Sequence, residues 1–372
     1  MLASETWRSD GAVRGAGVPA FELPVPELGA WRAGNTGVEG VWRFDSGRPG
    51  RQVLVTALVH GNELCGAWAL LRLLQQLAEG WRDGGGEGRG DGRREGPREG
   101  PREAVWPRQG VLTLAFCNLA AFDRFDVARP DASRFVDEDM NRVWGPGLAA
   151  ADSPRSRERE RARQLLPFVE QADWLLDLHS MHEPGEPLLL TGLQPRNRAL
   201  ARALGAPRCV VSDAGHRDGQ RMRDHGRFGV VDGRGGPADD GTRSLLIECG
   251  FHGELASRDV ATDMVARFLV ASGALHDGDI PAAWWREAPA AQEFLQVTDA
   301  VVAATPELRF AQPWANGQHI ARAGTLLGWD GGRPIVTPAD DCTIVMPSLR
   351  QLRVGVTVMR LARRCLDAPN VS

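Results

Sequence analysis

Short apolar runs alternate with helical patterns through the first three quarters of the chain. The runs that resemble buried strands lie at 53–59, 110–116, 174–178, 209–211 and 243–250. Between them, apolar residues recur at the i, i+3, i+4 spacing of an amphipathic helix, as from Ala67 to Leu77, and helices are also predicted at 155–171 and 257–275. Strands that alternate with helices predict an α/β domain built on one sheet.

The pattern changes after Trp284. Short alternating strands separated by Gly and Pro turns recur at 317–321, 325–328, 333–336 and 342–347. We therefore predict an α/β catalytic domain over residues 1–283 and a smaller all-β domain over residues 284–372.

Two polar stretches interrupt this pattern. Residues 82–108 consist almost entirely of Gly, Arg, Glu, Asp and Pro, and lack the apolar content that packing requires, which predicts a disordered surface insertion. Arg and acidic residues are interleaved there, which disfavours a basic interaction tail. Residues 213–241 are polar and rich in Gly, and are predicted to form a long loop near the functional site that is described below.

Composition narrows the class of protein. The 372 residues are 42% hydrophobic and carry a net charge of −4, so nothing indicates a nucleic-acid partner. All 44 basic residues are Arg and there is no Tyr, so no tyrosine hydroxyl can act as a proton donor. Neither a secretory signal nor a membrane-spanning run is recognised, and the six scattered Cys do not suggest disulfides. A soluble cytoplasmic protein with no membrane partner is expected; the sequence leaves a homo-oligomer open.

The candidate chemistry begins with His60 and Glu63, which follow the run at 53–59, and His179, which follows the run at 174–178. Open α/β sheets carry their chemistry at the carboxyl ends of strands, so these residues are expected to converge. Two His and one carboxylate form a typical catalytic zinc site, which keeps a position for water. The alternatives are a capping or surface pair for His60 and Glu63, and an ordinary edge residue for His179.

Other polar residues accompany this candidate site. Asp177 is predicted to share a strand face with His179 and to orient a site histidine, since metal-bound His usually donates its second N–H. The segment 134–142 supplies Arg134, Asn141 and Arg142, and arginine grips carboxylates bidentately. Glu248 ends an apolar strand, where desolvation suits it to general-base work. For the segment 134–142 the alternative is a solvated run of charges. For Glu248 the alternative is a buried glutamate that pairs with an arginine.

Together these motifs resemble the succinylglutamate desuccinylase/aspartoacylase family, which has the zinc-carboxypeptidase-like fold. The resemblance extends from about residue 50 to the carboxyl-terminal β module, and its strongest motifs are His60-Gly61-Asn62-Glu63, Asp139-Met140-Asn141-Arg142, Asp177-Leu178-His179 and the strand of Glu248.

The resemblance implies a mixed sheet flanked by helices, with a small β domain that narrows entry to the site. It also implies roles for individual residues. His60, Glu63 and His179 would bind one zinc ion per chain, and Glu248 would activate the water. Arg134 would stabilise the oxyanion, and Asn141 and Arg142 would hold a substrate carboxylate.

These inferences predict a zinc-dependent amidohydrolase acting on a small N-acyl amino acid with a free carboxylate, such as N-succinylglutamate or an N-acetylated amino acid. The alternatives are a carboxypeptidase-like peptidase and a non-catalytic metal- or ligand-binding protein. The ligand types also suit iron or cobalt. The segment Ser180-Met181-His182-Glu183-Pro184 departs from the pattern expected of the two founding activities, and the role of His182 is left open.

Overall fold

The computed structural model describes residues 20–84, 105–150, 154–229 and 241–365. The strands in these ranges are β1 (Val41–Asp45), β2 (Gln52–Ala57), β3 (Val111–Phe116), β4 (Trp174–Met181), β5 (Leu188–Leu190), β6 (Cys209–Ser212), β7 (Arg243–Phe251), β8 (Glu293–Val302), β9 (Arg309–Phe310), β10 (His319–Ile320), β11 (Leu326–Asp330), β12 (Arg333–Val336), β13 (Cys342–Val345) and β14 (Thr357–Arg364). The α-helices there are α1 (Leu64–Gly84), α2 (Leu119–Phe122), α3 (Arg157–Gln171), α4 (Pro195–Leu204) and α5 (Leu255–Ser272).

One large mixed sheet organises the described chain. Its strand order is β1-β3-β2-β4-β7-β5-β6-β8-β14-β13-β10, and β3, β2, β4 and β7 are mutually parallel. Strands β1 and β5 are antiparallel to their neighbours β3 and β7. Strands β2, β4 and β7 are adjacent and parallel, so their carboxyl ends, near which the candidate residues lie, are on the same side of the sheet.

Both faces of this sheet are covered, which explains the continuous apolar runs. Alternate residues of β2 enter different cores: Val53 and Val55 pack in the core of α1, α4 and α5, whereas Leu54 packs in the core that includes α3. The mixed α/β fold predicted from the sequence is confirmed.

The carboxyl-terminal strands extend the same sheet. Strand β8 pairs in parallel with β6, and β14, β13 and β10 follow in antiparallel order. Strands β9, β11 and β12 form a separate three-stranded sheet within the described residues. The β-rich region after Trp284 is confirmed, and its division from residues 1–283 as a separate domain stays a prediction.

Several element boundaries differ from those predicted. Strand β2 ends at Ala57 rather than at residue 59, because Leu58 has a left-handed backbone with φ 56°. Strand β4 continues to Met181, so His179 lies inside a strand instead of following one. Glu248 likewise lies within β7, three residues before its end.

The sequence patterns missed β5, α4, β8 and β14. Most of the predicted insertion at 82–108 lies outside the described residues, at 85–104. Its flanks are structured: α1 continues through residues 82–84, and Val105 and Trp106 pack against the main core.

In the described ranges, no helix combines the length and apolar character needed to cross a membrane.

Candidate active site

The turn between β2 and α1 carries His60 and Glu63 and depends on Gly61. A Cβ atom at Gly61 would lie 2.4 Å from the backbone carbon of Ala121 and 2.5 Å from the backbone oxygen of Ser133. The Gly61 N–H donates to the carbonyl of Arg134 over 3.0 Å. The glycine therefore allows the turn to pack against the backbone of the segment that supplies Arg134.

His60, Glu63 and His179 converge. His60 Nδ1 lies 2.7 Å from Glu63 Oε1, and His179 Nδ1 lies 2.7 Å from Glu63 Oε2. One ligand atom from each of the three residues lies within 4.8 Å of the others, and all three residues are buried. Among the described residues, this is the group of His, Cys and carboxylate side chains that could hold a metal ion.

The second nitrogen of each histidine faces a carboxylate. His179 Nε2 is 2.8 Å from Asp177 Oδ2, and His60 Nε2 is 2.9 Å from Asp139 Oδ1. Such carboxylates fix the tautomer and orientation of metal-binding histidines. The structure thus places Asp177 where the sequence predicted it, and adds Asp139 for His60, a contact that sequence reasoning missed.

The electrostatic field at this group favours positive charge. Burial lowers the pKa of His179, but Asp177 and Glu63 outweigh it and hold the pKa well above its usual value. Burial raises the pKa of Glu63, yet His60 and His179 hold it well below its usual range. A site that favours an imidazolium favours a cation for the same reason.

Glu248 faces this group from the neighbouring strand. It pairs in register with His179 between β7 and β4. Its Oε2 atom is buried and has no hydrogen-bond partner in the described part of the chain. Burial first, and the charge of Glu63 second, raise the pKa of Glu248 to about 8.

The segment 134–142 supplies three further polar side chains. The Arg134 side chain is 11% exposed, and its guanidinium donates to Glu63 Oε1 over 3.0 Å and to Asp139 Oδ2 over 3.3 Å. Asn141 Oδ1 accepts from the backbone N–H of Met222. Both residues line the cavity that His60, Glu63 and His179 line.

Arg142 differs from Arg134 in that the carboxylate it contacts is more exposed. Its Nε donates to Asp218, a partly exposed carboxylate, over 3.2 Å. Its Nη2 lies 3.9 Å from Asp139, beyond hydrogen-bond distance.

One cavity joins these groups and has about 820 Å³ of atom-free space, part of it open to solvent. All seven predicted site residues line it, namely His60, Glu63, Arg134, Asn141, Arg142, His179 and Glu248. The carboxyl-terminal part of the chain contributes Met346, Ser348, Gln351, Val356, Thr357 and Arg360.

Two arginines that line the cavity, Arg221 and Arg360, were not predicted from the sequence. Arg221 makes a bidentate pair with Asp213, at 2.8 and 2.9 Å, whereas Arg360 Nη2 contacts the ring nitrogens of His216 at 2.8 and 3.1 Å. Arg360 gave one usable signal, since it stands between the apolar residues Met359 and Leu361. His216 and Arg221 gave none beyond their place in the loop predicted at 213–241.

The donor set fits a divalent metal of the zinc type. Two imidazoles and one carboxylate are a known catalytic zinc set; all three are buried, and each imidazole also faces a second carboxylate. The Oε2 atom of Glu248 in the same cavity is an acceptor that no donor among the described residues satisfies.

No protein-family model and no curated protein sequence matches the chain. Its structure is similar to that of the succinylglutamate desuccinylase from Vibrio cholerae, with 15% identity and a TM-score of 0.58 over 88% of this chain and 86% of that chain. A succinylglutamate desuccinylase/aspartoacylase from Rhodobacter sphaeroides has 18% identity and a TM-score of 0.54, over 86% and 87% respectively.

A third solved structure is the product-bound ectoine utilization protein EutE (DoeB) from Ruegeria pomeroyi. It has 17% identity and a TM-score of 0.56, covering 85% of this chain and 86% of that chain. These likenesses confirm the resemblance inferred from the motifs. They define the fold as that of the succinylglutamate desuccinylase/aspartoacylase proteins.

Proposed function

We propose that this protein is a zinc-dependent amidohydrolase of the succinylglutamate desuccinylase/aspartoacylase family, which removes the acyl group from an N-acyl amino acid. The observation that carries the proposal is the unpartnered carboxylate of Glu248 beside the group of His60, Glu63 and His179. A general base needs a free acceptor and a raised pKa, and Glu248 has both.

His60, Glu63 and His179 would hold the zinc ion. When bound, zinc polarises a carbonyl group and lowers the pKa of a water molecule. Asp139 and Asp177 keep the two imidazoles in the tautomer that directs Nδ1 toward the shared centre. Zinc is preferred over iron or cobalt on the type of ligand.

The remaining residues of the chain perform the proton transfer and the electrostatic stabilisation. Glu248 accepts a proton from the attacking water and passes it to the leaving amine. Arg134 stabilises the negative charge that develops on the carbonyl oxygen, because its guanidinium is already held at the site by Glu63 and Asp139. A preorganised donor of this kind costs little reorganisation during the reaction.

Asn141 and Arg142 bind the free carboxylate of the substrate. The present carboxylate partner of Arg142 is the partly exposed Asp218, so a substrate carboxylate can take over this contact without leaving a buried charge unpaired. The bidentate geometry of arginine suits this exchange.

The carboxyl-terminal residues favour a small substrate over a peptide. Met346, Ser348 and Gln351 line the cavity that the catalytic residues share, and so limit its width. We assign these residues to a carboxyl-terminal β domain at 284–372 that narrows entry to the catalytic domain at 1–283. A carboxypeptidase-like activity would need the cavity to admit a polypeptide, and is the second candidate that the test must address.

The test is hydrolysis of N-succinyl, N-acetyl and N-formyl amino acids, with matched peptides, by protein of known metal content. We expect chelator-sensitive hydrolysis of one acyl class, restored by zinc, at about one zinc per chain. Hydrolysis of the peptides in preference to the acyl amino acids would establish the peptidase. Bound zinc without turnover of either class would contradict the enzyme proposal.

A further inference from the structure

We propose that Ser180 is a hydrogen-bond donor to the substrate, and that Asp131, His182 and His252 are positioning residues that direct its hydroxyl hydrogen into the cavity. The nature of the ligand rests on the proposed function, whereas the direction of the hydrogen bonds rests on the distances between the four side chains and on the charge states of Asp131 and His252.

The four side chains form a continuous hydrogen-bonded chain. Asp131 Oδ1 lies 3.1 Å from His182 Nδ1, and His182 Nδ1 lies 3.3 Å from His252 Nε2. The other ring nitrogen of His252, Nδ1, lies 2.7 Å from the hydroxyl oxygen of Ser180. His252 and Ser180 are both buried, so water does not compete freely for these contacts.

Asp131 sets the direction of the hydrogen bonds that link these four side chains. Burial raises the pKa of this carboxyl, but His182 and Arg350 outweigh burial and hold the pKa at about 2. The ionised carboxylate only accepts hydrogen bonds, so the facing Nδ1 of His182 carries a hydrogen whether this ring is neutral or charged. Two N–H groups cannot face each other productively, and His252 Nε2 must therefore be the nitrogen without a hydrogen.

The hydrogen of His252 is then on Nδ1. Burial, and then the neighbouring His182, hold the pKa of His252 well below its usual value, so the ring is neutral and has one N–H. This N–H donates to the Ser180 oxygen. The hydroxyl hydrogen of Ser180 is left with no acceptor among the described residues. An unsatisfied buried donor is costly, and an acceptor in the cavity removes the cost.

The cavity determines which acceptor this is. Ser180 and His182 line it together with Met181, Leu190 and Leu246, which belong to one apolar cluster. Arg142, Arg221 and Arg360 also line the cavity, and these cations suit the amino-acid carboxylate. We therefore assign the acceptor to an oxygen atom of the acyl group, in a subsite that is otherwise largely apolar.

The first experiment reads the tautomers directly, without activity. Nitrogen-15 chemical shifts of the histidine rings are measured in the zinc-loaded protein, with a His252→Asn variant to assign the signals. We expect the hydrogen on Nδ1 of His252 and on Nδ1 of His182. A hydrogen on Nε2 of His252 would reverse the direction of the hydrogen bonds, so that Ser180 donates to His252. This result would overturn the proposal.

The second experiment uses two nearly isosteric substitutions of opposite polarity. In His252→Asn, the amide N–H can replace the Nδ1–H, whereas in His252→Asp a carboxylate oxygen accepts the Ser180 hydrogen and turns it from the cavity. For the acyl amino acid that is hydrolysed, we expect KM to stay within about twofold in His252→Asn and to rise about fivefold to tenfold in His252→Asp and in Ser180→Ala, which is the effect of one hydrogen bond.

In all three variants zinc content should change little, because neither Ser180 nor His252 belongs to the ligand group. Equal KM effects of His252→Asn and His252→Asp would show a structural role and contradict the proposal. If the wild-type protein hydrolyses no acyl amino acid, the proposed function fails. The histidine tautomers still decide the direction of the hydrogen bonds from Asp131 to Ser180.

Discussion

Substitution of Glu248 by Gln should raise the stability of the metal-free protein while abolishing most of its turnover. The Glu248 side chain is buried, its Oε2 has no partner among the described residues, and burial and Glu63 raise its pKa to about 8. Gln has nearly the same shape but does not ionise. The substitution therefore removes a charge that the fold disfavours and that the proposed reaction requires.

The pKa gives the size of the stability effect. An acid whose pKa rises from 4.5 when unfolded to about 8 when folded destabilises the protein progressively as the pH rises through this window. At about 1.4 kcal/mol per pH unit, the cost is about 1 kcal/mol at pH 5 and about 4 kcal/mol at pH 8. The advantage of Glu248→Gln over wild type should thus grow by about 3 kcal/mol between these pH values.

Urea unfolding of both proteins in chelator, at pH 5 and pH 8, measures this difference. Substitution of the exposed Glu307 by Gln is the matched control and should follow wild type at both pH values. If wild type and Glu248→Gln show the same change in unfolding free energy with pH, Glu248 is not desolvated as the structure shows.

The turnover of the zinc-loaded protein completes the test. Loss of a general base lowers kcat by about 10²- to 10⁴-fold. Zinc content should be unchanged, because Glu248 is not one of the three residues in the ligand group. Retained activity at normal zinc content would remove Glu248 as the base.

Substitutions at four further positions test the other parts of the site. Arg142→Ala should raise KM for carboxylate-bearing substrates by about 10- to 100-fold through the loss of a charged hydrogen bond, with Arg142→Lys intermediate; an unchanged KM excludes the clamp. Asp139→Asn and Asp177→Asn should each weaken zinc binding by about 10- to 100-fold in chelator competition, and an effect of only one would show that one imidazole needs no support. Gly61→Ala should cost about 1–3 kcal/mol in urea unfolding and lower zinc content, because its Cβ would meet the backbone of Ala121; a neutral result would show that this backbone can move.

Local patterns in the sequence were sufficient for the central elements of the fold. The apolar runs that became β2, β3, β4 and β7 are nearly continuous because both faces of the sheet are covered, and this pattern is visible without the structure. Strand β2 ends earlier than the sequence predicted because Leu58 has a left-handed backbone, which stops a strand. The apolar side chain of Leu58 does not reveal such a backbone.

The missed elements have physical causes of their own. Strand β5 has only three residues, too few for a periodic signal to emerge. Strand β14 carries Arg360 among buried residues, and a buried arginine interrupts the apolar pattern that predicts a strand.

The sequence by itself determined which side chains are available for chemistry: the motif at 60–63, the pair Asp177 and His179, the segment 134–142, and Glu248. These motifs are local, so their residue types and spacing could be read from the sequence, and they led us to predict a metal hydrolase. Only the tertiary structure decided which of these groups meet. Glu248 faces His179 because β7 pairs with β4 in a particular register, and Asp139 reaches His60 across 79 positions of sequence. Strand order and register arise from the packing of the whole chain, so no local pattern contains them.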